Sequence, residues 1–366
     1  MVAPRVGPAP VVIAHRGACG YRPEHTLASY RLAIELGADF IEPDLVATSD
    51  GVLVARHENE IGGTTDIATR PEFADRRTTK VVDGVTRTGW FTEDLTLAEI
   101  RTLWATERLP RVRPANTVYD GRLRVPTFEE VLDLAETGGR RRGVTIGVYP
   151  ETKHPSHFAS LGLPLEEPLV AALRRRHLDR PNAPVFVQSF ETGNLRRLAE
   201  RLSVPLVQLV DAAGAPADLV AAGSPTTYAD LLTPAGLADV SSYAAAVGVN
   251  KSLVLEEPAG SLVRESHRAG LAVHAWTVRE ENLFLSERFR VGTAPHGRGD
   301  AVGETLALLE AGVDGVFCDT ADTAVHARDR WLMLQGVTAR QPGGRRTGLR
   351  SGHGPSPRHR AVRSHG

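Results

Sequence analysis

Short continuous apolar runs alternate along this chain with stretches of helical periodicity. Val11-Val12-Ile13-Ala14 is too short for a helix and rich in β-branched residues, so it predicts a buried strand ending at His15. From Thr26 the period turns helical, with Leu27, Tyr30, Ala33 and Ile34 on one face and Gly37 as a C-cap. Phe40-Ile41 then opens a second strand that runs into Glu42-Pro43-Asp44. Strand, helix and strand in this order form a βαβ unit, whose crossover is expected to be right-handed.

Asp50-Gly51 reads as a tight turn, and Val52-Leu53-Val54 leads to His57. Over residues 58–124 the periodicity is poor apart from a short helical pattern at Leu97, Ile100 and Leu103, which predicts a long excursion after the second strand. Thr127 and Glu130 make a capping box that restarts a helix. Further strands are expected at 144–149, 185–189, 205–209, 271–276 and 315–319, with a weak one at 249–253. Helical patterns at 166–177, 191–202, 259–269, 304–311 and 323–334 alternate with them. Apolar strands alternating with helices indicate a parallel sheet covered by helices. An open doubly-wound sheet and a (β/α)8 TIM barrel both satisfy the alternation. Polar residues decide for the barrel, because His15, Glu42, Asp44, Glu151, Lys153, Gln188, Trp276 and Asp319 all fall at carboxyl ends of strands, and many strands feeding one mouth is the barrel arrangement.

The length of 366 residues suits one large α/β barrel. A hydrophobic content of 42% with 24% charged residues is that of a globular chain with a sizeable core. The net charge of −1 hides an asymmetry, since residues 336–366 hold seven arginines and no acid; without those seven charges the body stands near −8. A nucleic-acid partner for the body is thereby disfavoured. The same segment is Gly-, Pro-, Ser- and His-rich and is expected to be a disordered tail after a domain spanning 8–335. Cys19 and Cys318 make no disulfide framework or zinc spacing and are expected to be independent free thiols, although both follow terminal strands that a closed barrel brings together. No apolar run is long enough for an integral membrane segment. The Pro-rich start is no signal peptide, so the chain as given reads as cytoplasmic, or as exported if a signal has been trimmed from it.

The candidate chemistry is a metal-assisted phosphodiester cleavage. Glu42 and Asp44 are two residues apart on a strand and point to one face, and Glu151 and Lys153 repeat that spacing. Glu42-x-Asp44 alone reads equally as a pair of solvated loop carboxylates. Three clustered acids would repel, and a hard divalent cation with oxygen ligands resolves the repulsion. His15 and His57 on opposite sides of a phosphorus would let one take a proton while the other gives one. Arg16 supplies a forked donor for phosphate oxygens, and Lys153 a second cation.

These pieces carry a resemblance. His15-Arg16-Gly17-Ala18, Pro23-Glu24-His25-Thr26-Leu27, the run from Gly37 to Leu45 through Glu42-Pro43-Asp44, Asp50-Gly51, His57, Pro150-Glu151-Thr152-Lys153, Gln188-Ser189-Phe190 and Trp276-Thr277-Val278 stand in an order that resembles the glycerophosphodiester phosphodiesterase family over roughly residues 10–330. The resemblance implies a (β/α)8 barrel, with the excursion as a small insertion after strand 2. It implies hydrolysis of glycerophosphodiesters to glycerol 3-phosphate and an alcohol. It also implies His15 and His57 as the acid–base pair and Arg16, Lys153, Gln188 and Trp276 against the substrate. One divalent ion, with Ca²⁺ before Mg²⁺, would sit on Glu42, Asp44 and Glu151. Pro-Glu-His-Thr in place of Pro-Glu-Asn-Thr is similar to the longer, calcium-using bacterial branch. A lysophospholipase D-like enzyme of the same superfamily and a catalytically silent phosphodiester-binding barrel are the alternatives. Thr293 to Gly303 is a Gly-rich stretch outside the matched motifs and reads as a loop.

Overall fold

The computed structural model describes residues 9–256 and 260–336. β1 (Val11–His15) lies between β2 (Phe40–Glu42) and the last strand of the chain. β2 and β3 (Asp44–Ala47) are one stretch interrupted at Pro43, which has no N–H to give a ladder. β4 (Leu53–Ala55) turns back antiparallel onto β3, with Leu45 opposite Ala55. β5 (Thr78–Val82) and β6 (Val85–Gly89) form a separate hairpin. β7 (Gly147–Val148) and β8 (Glu151–Thr152) again divide a single stretch. β9 (Val187–Ser189), β10 (Leu206–Val210), β11 (Ala246–Asn250), β12 (Ala272–Val278) and β13 (Gly315–Cys318) complete the set.

The main sheet has eleven strands in the order β4-β3-β8-β9-β10-β11-β12-β13-β1-β2-β7, and every pair except β3–β4 is parallel. β2 pairs with β7 while β3 pairs with β8, so the same two stretches, 40–47 and 147–152, hold both ends of the sheet. The fold is α/β, and its sheet curls on itself. Alternation along the strands divides the core into two layers. Ile13, Tyr149, Val207, Ala246 and Phe317 form a small cluster, whereas Val12, Ala14, Val247, Val273 and Val316 belong to the large apolar layer shared with the helices. Tyr149 sits in the small cluster with its hydroxyl 2.7 Å from His274 Nδ1, which satisfies a phenol that burial otherwise penalises.

Helix Leu27–Glu35 starts where Thr26 accepts from Ser29 N, and helix Phe128–Arg142 starts in the expected box of Thr127 and Glu130. Several boundaries differ from the sequence expectation. The sheet is not wholly parallel, because Val52-Leu53-Val54 returns on β3 through the Asp50-Gly51 turn. The third strand starts only at Gly147, where a Cβ would stand 2.2 Å from the Phe40 ring. The weak strand lies earlier than expected, at Ala246–Asn250, followed by a helical turn Ser252–Leu255. Its Ala- and Gly-rich run hides a strand because Leu209 fills the room a side chain at Gly248 would need, with Leu209 Cδ2 2.6 Å from the Cβ position. The helix expected at 259–269 is seen over Ser261–Arg268, position 259 being outside the described residues. The 58–124 excursion contains the β5–β6 hairpin, which Asp83-Gly84 between Val82 and Val85 could have announced. The expected disordered tail lies outside the described residues beyond Gly336. Cys19 and Cys318 are both buried free thiols. Of the 293–303 stretch, 293–300 is a loop tied by Asn282, whose side chain bonds Val291 N, Val291 O and Ala294 O, while residues 301–303 already open the helix Ala301–Ala311.

Candidate active site

The strand ends bring the acids together. Glu42, Asp44 and Glu151 are buried, with one carboxylate oxygen from each lying within 4.8 Å of the others. Asp44 pairs in register with Glu151, so the β3–β8 ladder fixes their approach. Asp44 Oδ2 accepts from His25 Nε2 at 2.9 Å, and His25 Nδ1 in turn accepts from the Tyr30 hydroxyl at 2.7 Å. Burial works against the Asp44 charge, but His25 and Lys153 hold its pKa well below the usual carboxylate range. Glu42 goes the other way, pushed well above that range by burial, Asp44 and Glu151. Glu151 rises to about 8 by burial and Asp44, against the pull of Lys153 Nζ at 3.1 Å. Two acids that resist ionisation beside one already charged mark a deficit of positive charge, and a divalent cation would supply it. The Gln188 side chain, 2% exposed, donates Nε2 to Glu42 at 3.2 Å and leaves Oε1 buried with no hydrogen-bond partner. An oxygen-only donor set of this kind fits a hard ion.

His15, Arg16, Glu42, His57, Glu151, Lys153, Gln188 and Trp276 line one cavity of about 100 Å³. All the sequence-selected residues thus meet, Asp44 just behind the cavity wall. His15 Nδ1 donates to Asp319 Oδ1 at 2.7 Å, because a carboxylate held ionised by Arg113 and Arg279 can only accept. His15 Nε2 therefore carries the free lone pair. Burial and Arg16 lower the His15 pKa to about 4 despite Asp319. Burial, Arg16 and Lys153 lower His57 to about 3, and its Nδ1 lies 3.2 Å from Glu58 Oε1. Both imidazoles are neutral at neutral pH. Arg16 N donates to Glu42 Oε2 at 2.8 Å and its Nη1 reaches Glu24 at 2.9 Å. Trp276 is oriented by Nε1 on Gly248 O at 3.0 Å and meets the Phe190 ring edge-on at 5.8 Å.

Sequence reading missed the residues that hold this set. Asp319 was placed at its strand end but given no role. Arg113, from the excursion, donates to Asp319 Oδ2 at 2.6 Å, to both Glu281 oxygens at 2.6 and 3.2 Å, and to Cys19 O at 3.0 Å. Arg108 reaches Glu24 at 2.7 Å from the same segment. Neither arginine carries a local signal. His15, Cys19 and Asp319 also lie within 4.8 Å, but Arg113 and Arg279 already neutralise Asp319 and burial raises the Cys19 thiol, so this group orients His15 and is poorly suited to a cation. Of five non-glycine residues with positive φ among those described, Arg16 lines this cavity, His25 stands behind it on Asp44, and Asp83 and His154 line the groove that adjoins it. Such conformations cost energy and collect where a site over-determines the backbone.

Beside the cavity, Glu191 is 2% exposed and accepts from Ser156 N at 3.1 Å and from the Ser156 hydroxyl. Burial raises its pKa to about 7. A carboxyl raised in the folded state binds more protons there than in the unfolded chain, so stability falls as pH rises between about 4.5 and 7. Urea unfolding of Glu191→Gln is expected to lose this part of the slope, gaining on the order of 3 kcal/mol relative to wild type between pH 5 and pH 8. Parallel pH profiles of the two proteins would refute the assignment.

Comparison with known proteins agrees with this geometry. Residues 15–323 match the Glycerophosphoryl diester phosphodiesterase family. A glycerophosphodiester phosphodiesterase of Arabidopsis thaliana is 33% identical over 85% of this chain and 83% of its own length. One of Bacillus subtilis is 32% identical over 85% of this chain and 84% of its own. Among solved structures, a putative glycerophosphoryl diester phosphodiesterase of Silicibacter pomeroyi superposes with a TM-score of 0.61 at 23% identity, covering 91% of this chain and 96% of that one. An Oleispira antarctica phosphodiesterase, solved with the product sn-glycerol-3-phosphate, gives 0.56 at 21% identity over 88% of this chain and 97% of that one. With a family match over most of its length and curated relatives above 30% identity, the chain belongs to the glycerophosphoryl diester phosphodiesterase family.

Proposed function

We propose that this chain hydrolyses glycerophosphodiesters to sn-glycerol 3-phosphate and an alcohol, with His15 and His57 exchanging protons and Glu42, Asp44 and Glu151 holding one divalent ion, Ca²⁺ before Mg²⁺. The observation that carries the reading is the single cavity shared by two imidazoles, three cationic side chains (Arg16, Lys153 and Arg279) and the carboxylate cluster. The scaffold is read as a (β/α)8 barrel with a small insertion over about 58–124; the pairing of 40–47 with 147–152 at both ends of the sheet supports closure.

Arg16 and Lys153 face the phosphate oxygens, Arg16 with two donors in a plane and Lys153 as a point charge. Gln188 Oε1 is free to accept a hydroxyl hydrogen from the glycerol, and Trp276 and Phe190 wall the cavity. When bound, the cation polarises a phosphoryl oxygen and lowers the pKa of an attacking hydroxyl. His15 Nε2 takes the proton of that hydroxyl, either water or the substrate's glycerol 2-hydroxyl, while Asp319 holds the ring and stabilises the imidazolium. His57 gives a proton to the departing alcohol. The phosphodiester anion offsets Arg16 and Lys153, the two charges that depress His57, and so lets it carry that proton. Release of glycerol 3-phosphate from glycerophosphocholine is the direct test. Activity is expected to fall below about a hundredth with a chelator and to return with Ca²⁺; no chelator-sensitive release would leave a silent phosphodiester-binding barrel.

A further inference from the structure

Glu151, Lys153 and Phe190 line two cavities at once: the small one above, and an open groove of about 660 Å³ that leads away from it. The hairpin tip and the segment after β10 form its walls. Ala215, Ala217 and Ala221 line one side, and Val81 and Val220, each 61% exposed, stand at its rim. A polyol would find few hydroxyl partners along such a wall. Aromatic faces continue from the small cavity into the groove, as Trp276 meets Phe190 edge-on at 5.8 Å and Phe190 meets Tyr228 at 6.0 Å.

Beyond Lys153 the uncompensated acid on the groove is Asp211, because Asp83 is matched by His154 and burial holds Glu191 at about 7. Asp211 accepts only from neutral groups among the described residues, Ala212 N at 2.7 Å and Asn250 Nδ2 at 2.9 Å. Burial and the charges of Asp211, Glu151, Asp218 and Asp83 push the Tyr228 phenol up, the mark of a negative field at that ring. The groove also lies on the side of the leaving alcohol. His57 contacts Glu58, and Glu58 lies 3.3 Å from His154 on the groove wall.

We propose that this groove is the subsite for the alcohol half of the diester, and that Asp211, Tyr228 and Phe190 select alcohols bearing an alkylated ammonium group. A positive charge clothed in methyl groups suits aromatic faces, aliphatic walls and an unpaired carboxylate together, where a neutral polyol does not. The inference rests on the diesterase reading above and specifies its substrate.

The test compares kcat/KM for glycerophosphocholine and glycerophosphoglycerol. Wild type is expected to favour the choline diester by about tenfold or more, the scale of a partly desolvated cation–π and carboxylate contact. Asp211→Asn and Tyr228→Leu are expected to reduce that preference about fivefold through KM for the choline diester, with glycerophosphoglycerol turnover within about twofold of wild type. Wild-type protein gives an independent measurement: choline is expected to inhibit competitively and 3,3-dimethylbutan-1-ol, its neutral isostere, is not. Equal rates on both diesters, or equal inhibition by both probes, overturn the subsite while leaving the diesterase reading intact. Failure to cleave either diester overturns the diesterase reading itself.

Discussion

Replacing His15 by alanine is expected to lower kcat on glycerophosphocholine about a thousandfold or more, with the fold retained, because no other group in the cavity has a free lone pair aligned by a buried carboxylate. His57→Ala is expected to lose as much on the same substrate. The two variants part on a diester whose leaving group is p-nitrophenol. A phenolate of low basicity departs without a proton, so His57→Ala should recover most of its rate there while His15→Ala should not. Recovery in His15→Ala alone would exchange the two roles, and near wild-type rates in either variant on the choline diester would remove that histidine from the chemistry. Asp319→Asn belongs to the same experiment. It keeps the shape but weakens the acceptor that fixes the His15 tautomer, so kcat should fall with KM unchanged.

The second large effect is on stability. Folding without a cation forces Glu42 into a buried position beside Asp44 and Glu151, and the carboxyl responds by holding its proton well above the usual range. Glu42→Gln removes that cost. The new amide can still accept from Arg16 N through its oxygen, and Gln188 can turn so that its orphaned Oε1 meets the new NH₂. In chelator at neutral pH the variant is therefore expected to unfold at higher urea than wild type, the advantage shrinking toward pH 4.5. With Ca²⁺ at a hundredfold excess over Kd the order reverses, because wild type gains about 3 kcal/mol and the variant, short of one ligand, gains little. Equal responses of both proteins to chelator and Ca²⁺ would show that the cluster does not hold the ion.

What the chain determined by itself is the set of strand ends. Short apolar runs ending in His15, in Glu42-Pro43-Asp44, in Glu151-Thr152-Lys153 and in Gln188 place their chemistry by period-two alternation and by the point where the ladder stops, and both are local properties. That is why the candidate residues were legible, and why strand 246–250 was shifted: its Gly248 answers to Leu209 across the ladder and carries no strand signal of its own. Tertiary structure alone decided how the site is held. Arg113 meets Asp319 from 206 positions away and His25 meets Asp44 from 19, and such partnerships depend on burial and on which loops converge, so no spacing announces them. The same holds for the groove beside the mouth. Asp211 and Tyr228 come to line one groove with His154 and Asp83 only when the hairpin tip of the excursion docks beside the segment after β10.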